Sequence, residues 1–201
     1  MRGCVVAGIG TEVGKTIVSA ILVQRLKADY WKPVQAGSLD QSDTTTVQQL
    51  APCGAVFHPE AYRLKRAMSP HAAAEKEGVL IEQQHMKLPP TDNTLVVELA
   101  GGLMVPLAPE LTNIDLLTDW KLPVVLVSSY YLGSINHTLL SIEALQRRHI
   151  SVLGLVFNGD PVESTRRSIL ESSGLRSVLD IERTDRFDSA WMAEQVENLR
   201  L

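Results

Sequence analysis

Four short apolar runs constrain this chain more than any other feature: Cys4–Ile9, Thr94–Leu99, Pro123–Ser129 and Val152–Asn158. None alternates polar with apolar residues. A strand with one wet face alternates, so these runs predict strands covered on both faces, as in a parallel sheet. Tyr30–Val34 is a shorter strand candidate. Helical patterns fill the gaps. Val18, Ile21, Leu22 and Leu26 share a face between Gly14 and Ala28, and Ile135, Leu139, Ile142 and Leu145 share one between Ser134 and Arg148. Asp160-Pro161-Val162-Glu163 reads as a capped helix start with proline at the first helical position, and Gly174 as the stop. A last helix is expected from Asp188 to Leu199. Strand–helix alternation predicts an α/β fold, a doubly wound, mostly parallel sheet with helices on both faces and ligands at the carboxyl ends of its strands. His58–Asn93 is less regular, with two short helices, and is expected as an insertion (58–93) within a single domain spanning 1–201.

Composition narrows the function. At 201 residues, 45% hydrophobic and 21% charged, the chain excludes disordered and collagen-like classes. It can bury roughly 70% of its unfolded surface, enough for a core without staples. Lys and Arg number 19 against 23 Asp and Glu, a formal net charge of −4. That balance argues against broad nucleic-acid binding and a polybasic membrane patch, yet permits an anionic ligand held by a few local cations. Cys4 and Cys53 make no CxxC pair and no metal-ligand pattern with the five histidines, so they read as small buried side chains in a reducing compartment. The N-terminal apolar run is too short for a signal peptide and no run reaches about 18 apolar residues, so the expected location is the cytoplasm.

The sharpest motif is Gly8-Ile9-Gly10-Thr11-Glu12-Val13-Gly14-Lys15-Thr16, after one predicted strand and before a predicted helix. That is the setting a phosphate-binding loop requires. Glycines let successive backbone N–H groups turn inward, and the helix N-terminus adds about half a positive charge. Lys15 can reach terminal phosphates, and the Thr16 hydroxyl can ligate magnesium. The common loop has four residues between its first glycine and the Gly-Lys pair; counted from Gly8 this one has five.

Three of the other candidates fall at strand ends. Lys32 opens Lys32-Pro33-Val34-Gln35-Ala36-Gly37, where proline stops a helix and glycine permits a turn; the alternative is a solvated surface charge. Glu98 closes a buried strand, where a carboxylate is costly unless paired or metal-bound. Asp43 is a second metal candidate, or else the N-cap of a following helix. Asn158 carries an amide able to read a purine edge, or is a turn residue before Gly159.

Taken in order, GIGTEVGKT at 8–16, KPVQAG at 32–37, Ser42-Asp43, Ser69-Pro70-His71, VELAGG at 97–102, LGSINH at 132–137 and Asn158 resemble the dethiobiotin synthetase family, the ATP-dependent carboxylases of biotin synthesis. The resemblance covers roughly residues 3 to 160. It implies that Glu12, Val13, Gly14, Lys15, Thr16 and Ile17 wrap the ATP phosphates, with Leu99, Ala100 and Gly101 beside them and Asn158 on adenine. It implies that Thr16, Asp43 and Glu98 surround Mg2+. Lys15 and Lys32 would neutralise charge at the reacting centre, with Thr11, Lys32 and Ala36 beside the diamine, 7,8-diaminononanoate, which reacts with CO2 or bicarbonate. Gly133, Ser134 and Asn136 would open a helix that holds the substrate carboxylate of the partner subunit, which implies a homodimer with shared active sites.

The chain departs from the family pattern at four places. Gly10 stands for an aspartate, Ala36 for Ser or Thr, Leu99 for a glycine, and Asp180-Ile181-Glu182-Arg183 for a Gly-x-Ile-Pro segment near the base. Ala36 removes a substrate hydrogen bond, and Leu99 is expected to crowd the phosphates. Three rival readings follow. A dimeric partitioning-type ATPase switch shares the fold class but carries a second lysine where this chain has Ile9 and Gly10. A cobyric-acid-type amidotransferase needs a glutaminase domain. A nucleotide-binding protein that has lost catalysis would explain Ala36 and Leu99.

Overall fold

A computed structural model describes residues 3–201. In chain order the elements are β1 (Gly3–Gly8), α1 (Lys15–Leu26), β2 (Asp29–Trp31), β3 (Val34–Ala36), α2 (Asp43–Leu50), β4 (Phe57–His58), β5 (Tyr62–Leu64), α3 (Pro70–Glu77), β6 (Leu95–Gly102), β7 (Pro106–Ala108), β8 (Leu111–Thr112), α4 (Asn113–Trp120), β9 (Val124–Ser129), α5 (Ser134–Arg147), β10 (Val152–Asn158), α6 (Glu163–Ser173), β11 (Ser177–Ile181) and α7 (Ser189–Asn198). Seven strands form one parallel sheet in the order β11-β10-β9-β1-β6-β2-β4. The four unalternating runs are four of its five inner strands, β10, β9, β1 and β6.

Two apolar cores explain why those runs do not alternate. On one face Val5, Ala7, Val97, Leu99, Leu126 and Phe157 pack with Ile114, Leu117, Ile142 and Ile169 from α4, α5 and α6. On the other, Cys4, Val6, Val96, Val125, Val127 and Val156 pack with Val18, Ile21 and Leu22 of α1 and Met192 of α7. Successive residues of a strand point to opposite faces, so the centre of each middle strand is buried on both sides, and only the strand ends are half-exposed. Residues 58–93 share the first core through Tyr62, Leu64, Ala73, Ile81 and Met86.

Several expectations change. Tyr30–Val34 is not one strand: β2 stops at Trp31, and Val34–Ala36 pairs with β5 in a separate two-stranded sheet, because Pro33 cannot donate to the ladder. The helix after Asn158 begins at Glu163 rather than Pro161, with Val162 at the cap and no side-chain cap bond; Gly174 does end it in the left-handed region. Ser42, not Asp43, caps α2, its hydroxyl accepting from the Thr45 N–H. Asp188 caps α7 by accepting from the Trp191 N–H. Strand β11 and helix α4 have no counterpart in the sequence reading. For α4 the signal is present: Thr112 and Asp115 form a capping box.

Candidate functional site

Parity along two strands builds the site. Strands β2 and β6 pair with Tyr30 opposite Val96 and Trp31 opposite Val97. Continuing that register sets Lys32 beside Glu98, both on the α1 face of the sheet. Lys32 is 4% exposed and Glu98 1%. Lys32 Nζ donates to Glu98 Oε1 at 3.0 Å and reaches Asp43 Oδ2 at 2.6 Å. Burial works against the ammonium charge, but the Glu98 and Asp43 carboxylates outweigh it and hold the lysine above its ordinary value. Burial likewise raises Asp43, and Lys32 outweighs it, so this carboxyl sits below the usual aspartate range.

The loop between β1 and α1 supplies the other half. Gly14, at φ +96°, occupies the N-cap of α1; a Cβ there would lie 2.3 Å from Asn158 Nδ2. Glu12 also has positive φ, +58°, costly for a residue with a side chain and set where the backbone must turn its N–H groups inward. The Thr16 hydroxyl lies 2.9 Å from both Asp43 Oδ1 and Glu98 Oε1. Lys15 Nζ rests on the Gly10 carbonyl at 2.9 Å. Burial pulls the Lys15 pKa down to about 8; Glu98 opposes that shift and Lys32 adds to it. Lys32 thus meets two carboxylates directly, and Lys15, held on the Gly10 carbonyl, lines the same cavity.

Three polar side chains outside the sequence reading hold this geometry. The Tyr30 hydroxyl donates to Glu98 Oε2 at 2.9 Å. Gln35, 4% exposed, accepts from the Asp43 N–H at 3.3 Å and donates to the Gly37 carbonyl at 2.9 Å. Asn113 donates to the carbonyls of Ala100 and Gly102 at 2.7 and 2.8 Å, which ties the end of β6 to α4. Tyr30 was legible, because it stands two residues before Lys32 and shares its face. Gln35 carried no such signal.

A cavity of ≈ 730 Å³ opens over this cluster; Thr11, Glu12, Gly14, Lys15, Thr16, Lys32, Ala36, Asp43, Glu98, Ala100 and Gly101 all line it. Met68, Ser69 and Val105 are also among its lining residues. A second cavity, ≈ 340 Å³, shares Glu12 and is lined by Ile17, Tyr130, Asn158, Glu182 and Arg183. Asn158 donates one amide hydrogen to the Val13 carbonyl at 3.0 Å, so it anchors the loop as well as facing this second cavity. Val13 itself is buried and contributes backbone only.

Leu99 corrects an expectation. It is fully buried and points into the opposite core, one residue out of phase with Glu98, so its side chain does not crowd the loop. Gly133, Ser134 and Asn136 line neither cavity among the described residues. They open α5, which is fixed to β9 by the Ser128–Thr138 hydroxyl pair at 2.8 Å and by Thr138 donating to the Ser134 carbonyl at 2.7 Å. No cluster of three or more His, Cys, Asp or Glu is present among the described residues. Two carboxylates and a hydroxyl are nevertheless a hard oxygen set, which suits Mg2+ when phosphates and water complete its shell.

Fold and site together define a P-loop NTPase-like α/β protein. A family described as an AAA domain matches residues 2–190. The chain is 48% identical to the ATP-dependent dethiobiotin synthetase BioD of Christiangramia forsetii over 97% of this chain and 94% of that protein. It is 49% identical to the protein of the same name from Cytophaga hutchinsonii over 90% and 88%, and 48% identical to that of Nitrobacter hamburgensis over 87% and 82%. A ParA family ATPase from Chlorobium tepidum superposes with a TM-score of 0.56 over 99% of this chain and 90% of that one; at 11% identity this likeness concerns the fold alone. The chain belongs to the ATP-dependent dethiobiotin synthetase family.

Proposed function

We propose that the chain carboxylates and cyclises 7,8-diaminononanoate with CO2 at the expense of ATP, forming the ureido ring of dethiobiotin. The observation that carries this reading is the junction of Lys32, Thr16, Asp43 and Glu98, with Lys15 lining the same cavity, which is large enough for two reactants. One amine captures CO2 as a carbamate and releases a proton. A carbamate oxygen then attacks the γ-phosphorus, and ADP leaves. The second amine attacks the carbamoyl carbon of the mixed anhydride, and phosphate leaves. Two anions must meet in the phosphoryl-transfer step. Lys15 and Lys32 offset that repulsion, so positioning and electrostatics supply the catalysis and no nucleophilic side chain is required.

Thr16, Asp43 and Glu98 would hold Mg2+, which supplies charge neutralisation on the phosphates. The backbone from Glu12 to Ile17 cradles the phosphates, with Ala100 and Gly101 opposite. Asn158 offers its remaining N–H and its carbonyl to a base in the smaller cavity. Thr11, Lys32 and Ala36 flank the diamine. The smaller cavity's Glu182 and Arg183 replace an apolar family segment and set the base preference.

We further read the molecule as a homodimer in which Gly133, Ser134 and Asn136 complete the neighbour's site. Support comes from Leu132, fully exposed beside half-exposed Tyr131 and Leu140, and from the buried Ser134 hydroxyl, which has no partner. No helix of the described residues is long and apolar enough to cross a membrane, and both cysteines are free thiols. Free thiols suit a reducing compartment, and we read the chain as a single catalytic domain working in the cytoplasm. A phosphate-release assay tests the reading, omitting the diamine and bicarbonate in turn. Release that requires both supports it; release from ATP alone sinks it in favour of a switch ATPase.

A further inference from the structure

Glu98 is held from behind. Its Oε1 faces Thr16 and Lys32, while its Oε2 accepts a single hydrogen bond from the Tyr30 hydroxyl at 2.9 Å, in a wholly buried contact. Tyr30 is 0% exposed, and its ring packs against Phe57 of the edge strand, with centroids 5.9 Å apart. A buried oxygen that has one donor cannot trade places with its twin without breaking that bond.

We propose that Tyr30 is a positioning residue for the cation site: its hydroxyl fixes the Glu98 carboxylate so that Oε1 is the oxygen presented to the metal. This rests on the reading of Glu98 as a metal ligand. The outer partners of ligating carboxylates alter metal affinity by about 10- to 100-fold when removed. Tyr30→Phe keeps the ring and its packing on Phe57 and removes only the donor.

The test is Mn2+ binding to the protein carrying a non-hydrolysable ATP analogue, followed by electron paramagnetic resonance, alongside the Mg2+ concentration that half-activates phosphate release. Tyr30→Phe should weaken Mn2+ binding about tenfold and raise the Mg2+ requirement in parallel, with analogue affinity in metal-free buffer unchanged. Phe57→Leu removes ring packing but leaves the hydroxyl, so it should lower thermal stability without moving the Mn2+ constant. An amino group in place of the hydroxyl, introduced as p-aminophenylalanine at position 30, is a weaker donor and should fall between tyrosine and phenylalanine. If Tyr30→Phe does not purify as folded protein, this isostere decides alone. A Mn2+ constant within twofold of the parent for these position-30 variants overturns the proposal, as does an equal loss in Phe57→Leu. Glu98→Gln separates the two ideas. If it leaves Mn2+ binding unchanged, the ligand reading itself is wrong; if it weakens binding while Tyr30→Phe does not, only the role of Tyr30 fails.

Discussion

Strand β2 is three residues long, yet the chemistry at its two ends is opposite. At its start Asp29 is 5% exposed. Its oxygens accept from the Thr91 hydroxyl at 2.5 Å, the Val56 N–H at 3.0 Å and the Asn93 amide at 3.2 Å. Just past its end Lys32 meets Asp43 and Glu98 at the wall of the large cavity. Both ends bury a carboxylate. At the first, three short-range neutral donors hold it, with the His58 imidazole 3.9 Å away, and the Asn93 amide also donates to the Lys27 carbonyl, so the cluster acts as a clasp between α1, β2 and the loop before β6. At the second, the partners are cations and hydroxyls that also face a cavity, and they can transfer their interactions to an incoming anion. A buried acid is thus no sign of function by itself; what its partners can turn to is the sign.

Changing the cavity end should have the larger effect. Lys15→Ala and Lys32→Ala should each lower the maximal rate about 10²- to 10³-fold in folded protein, since both contacts strengthen as the phosphoryl group moves. Steady-state kinetics over a diamine titration checks this. A change confined to the half-saturating diamine concentration would remove Lys32 from the chemistry.

Changing the clasp should do the reverse. Asp29→Asn should cost about 1–3 kcal/mol of stability, by chemical denaturation, and leave the rate of the surviving folded enzyme unaltered. The pH dependence has a definite sign. Burial raises the Asp29 carboxyl, but the Thr91, Val56 and Asn93 donors outweigh it and leave it below the ordinary aspartate value. Its contribution is therefore present above about pH 4 and fades as pH falls through the lower folded value. The gap between parent and Asp29→Asn should close in acid.

Smaller effects sharpen the contrast. Ala36→Ser adds a hydroxyl to the cavity wall and should tighten diamine binding severalfold, the equivalent of about 0.5–1.5 kcal/mol, with ATP binding unchanged. Titration calorimetry distinguishes the two ligands. Cys4 lies in the second core, where burial pushes its thiol up to about 12; Cys53 is half-buried. A thiol reagent at neutral pH should modify Cys53 alone until the protein is unfolded, which peptide mass mapping would reveal.

The legible parts of the molecule are those governed by local rules. The glycine spacing and Lys15-Thr16 mark the phosphate loop, and unalternating runs mark the middle of the sheet. Lys32 and Glu98 stand out as charges at strand ends, and Asp43 at a helix start, which the family resemblance already groups with Glu98. The direct Lys32–Glu98 contact needs the β2–β6 register, which sequence does not print. Leu99 was misread for the same reason: a residue adjacent to Glu98 in sequence lies on the opposite face in a strand. Strand β11 escaped notice because Ser177–Ile181 is an edge strand carrying the exposed Asp180, bound there by Arg166 at 2.8 Å. Pro161 resembled a helix start, but the chain delays until Glu163.

Oxygen tracing tests the central claim, that the cavity lined by Lys15 and Lys32 brings a carbamate to the γ-phosphate. In a single turnover started with oxygen-18 bicarbonate, before exchange with water, the released phosphate is analysed by mass spectrometry. The account predicts phosphate carrying one heavy oxygen, formed only when the diamine is present. Phosphate that acquires its fourth oxygen solely from solvent water would contradict it, since water rather than a carbamate would then be the attacking group.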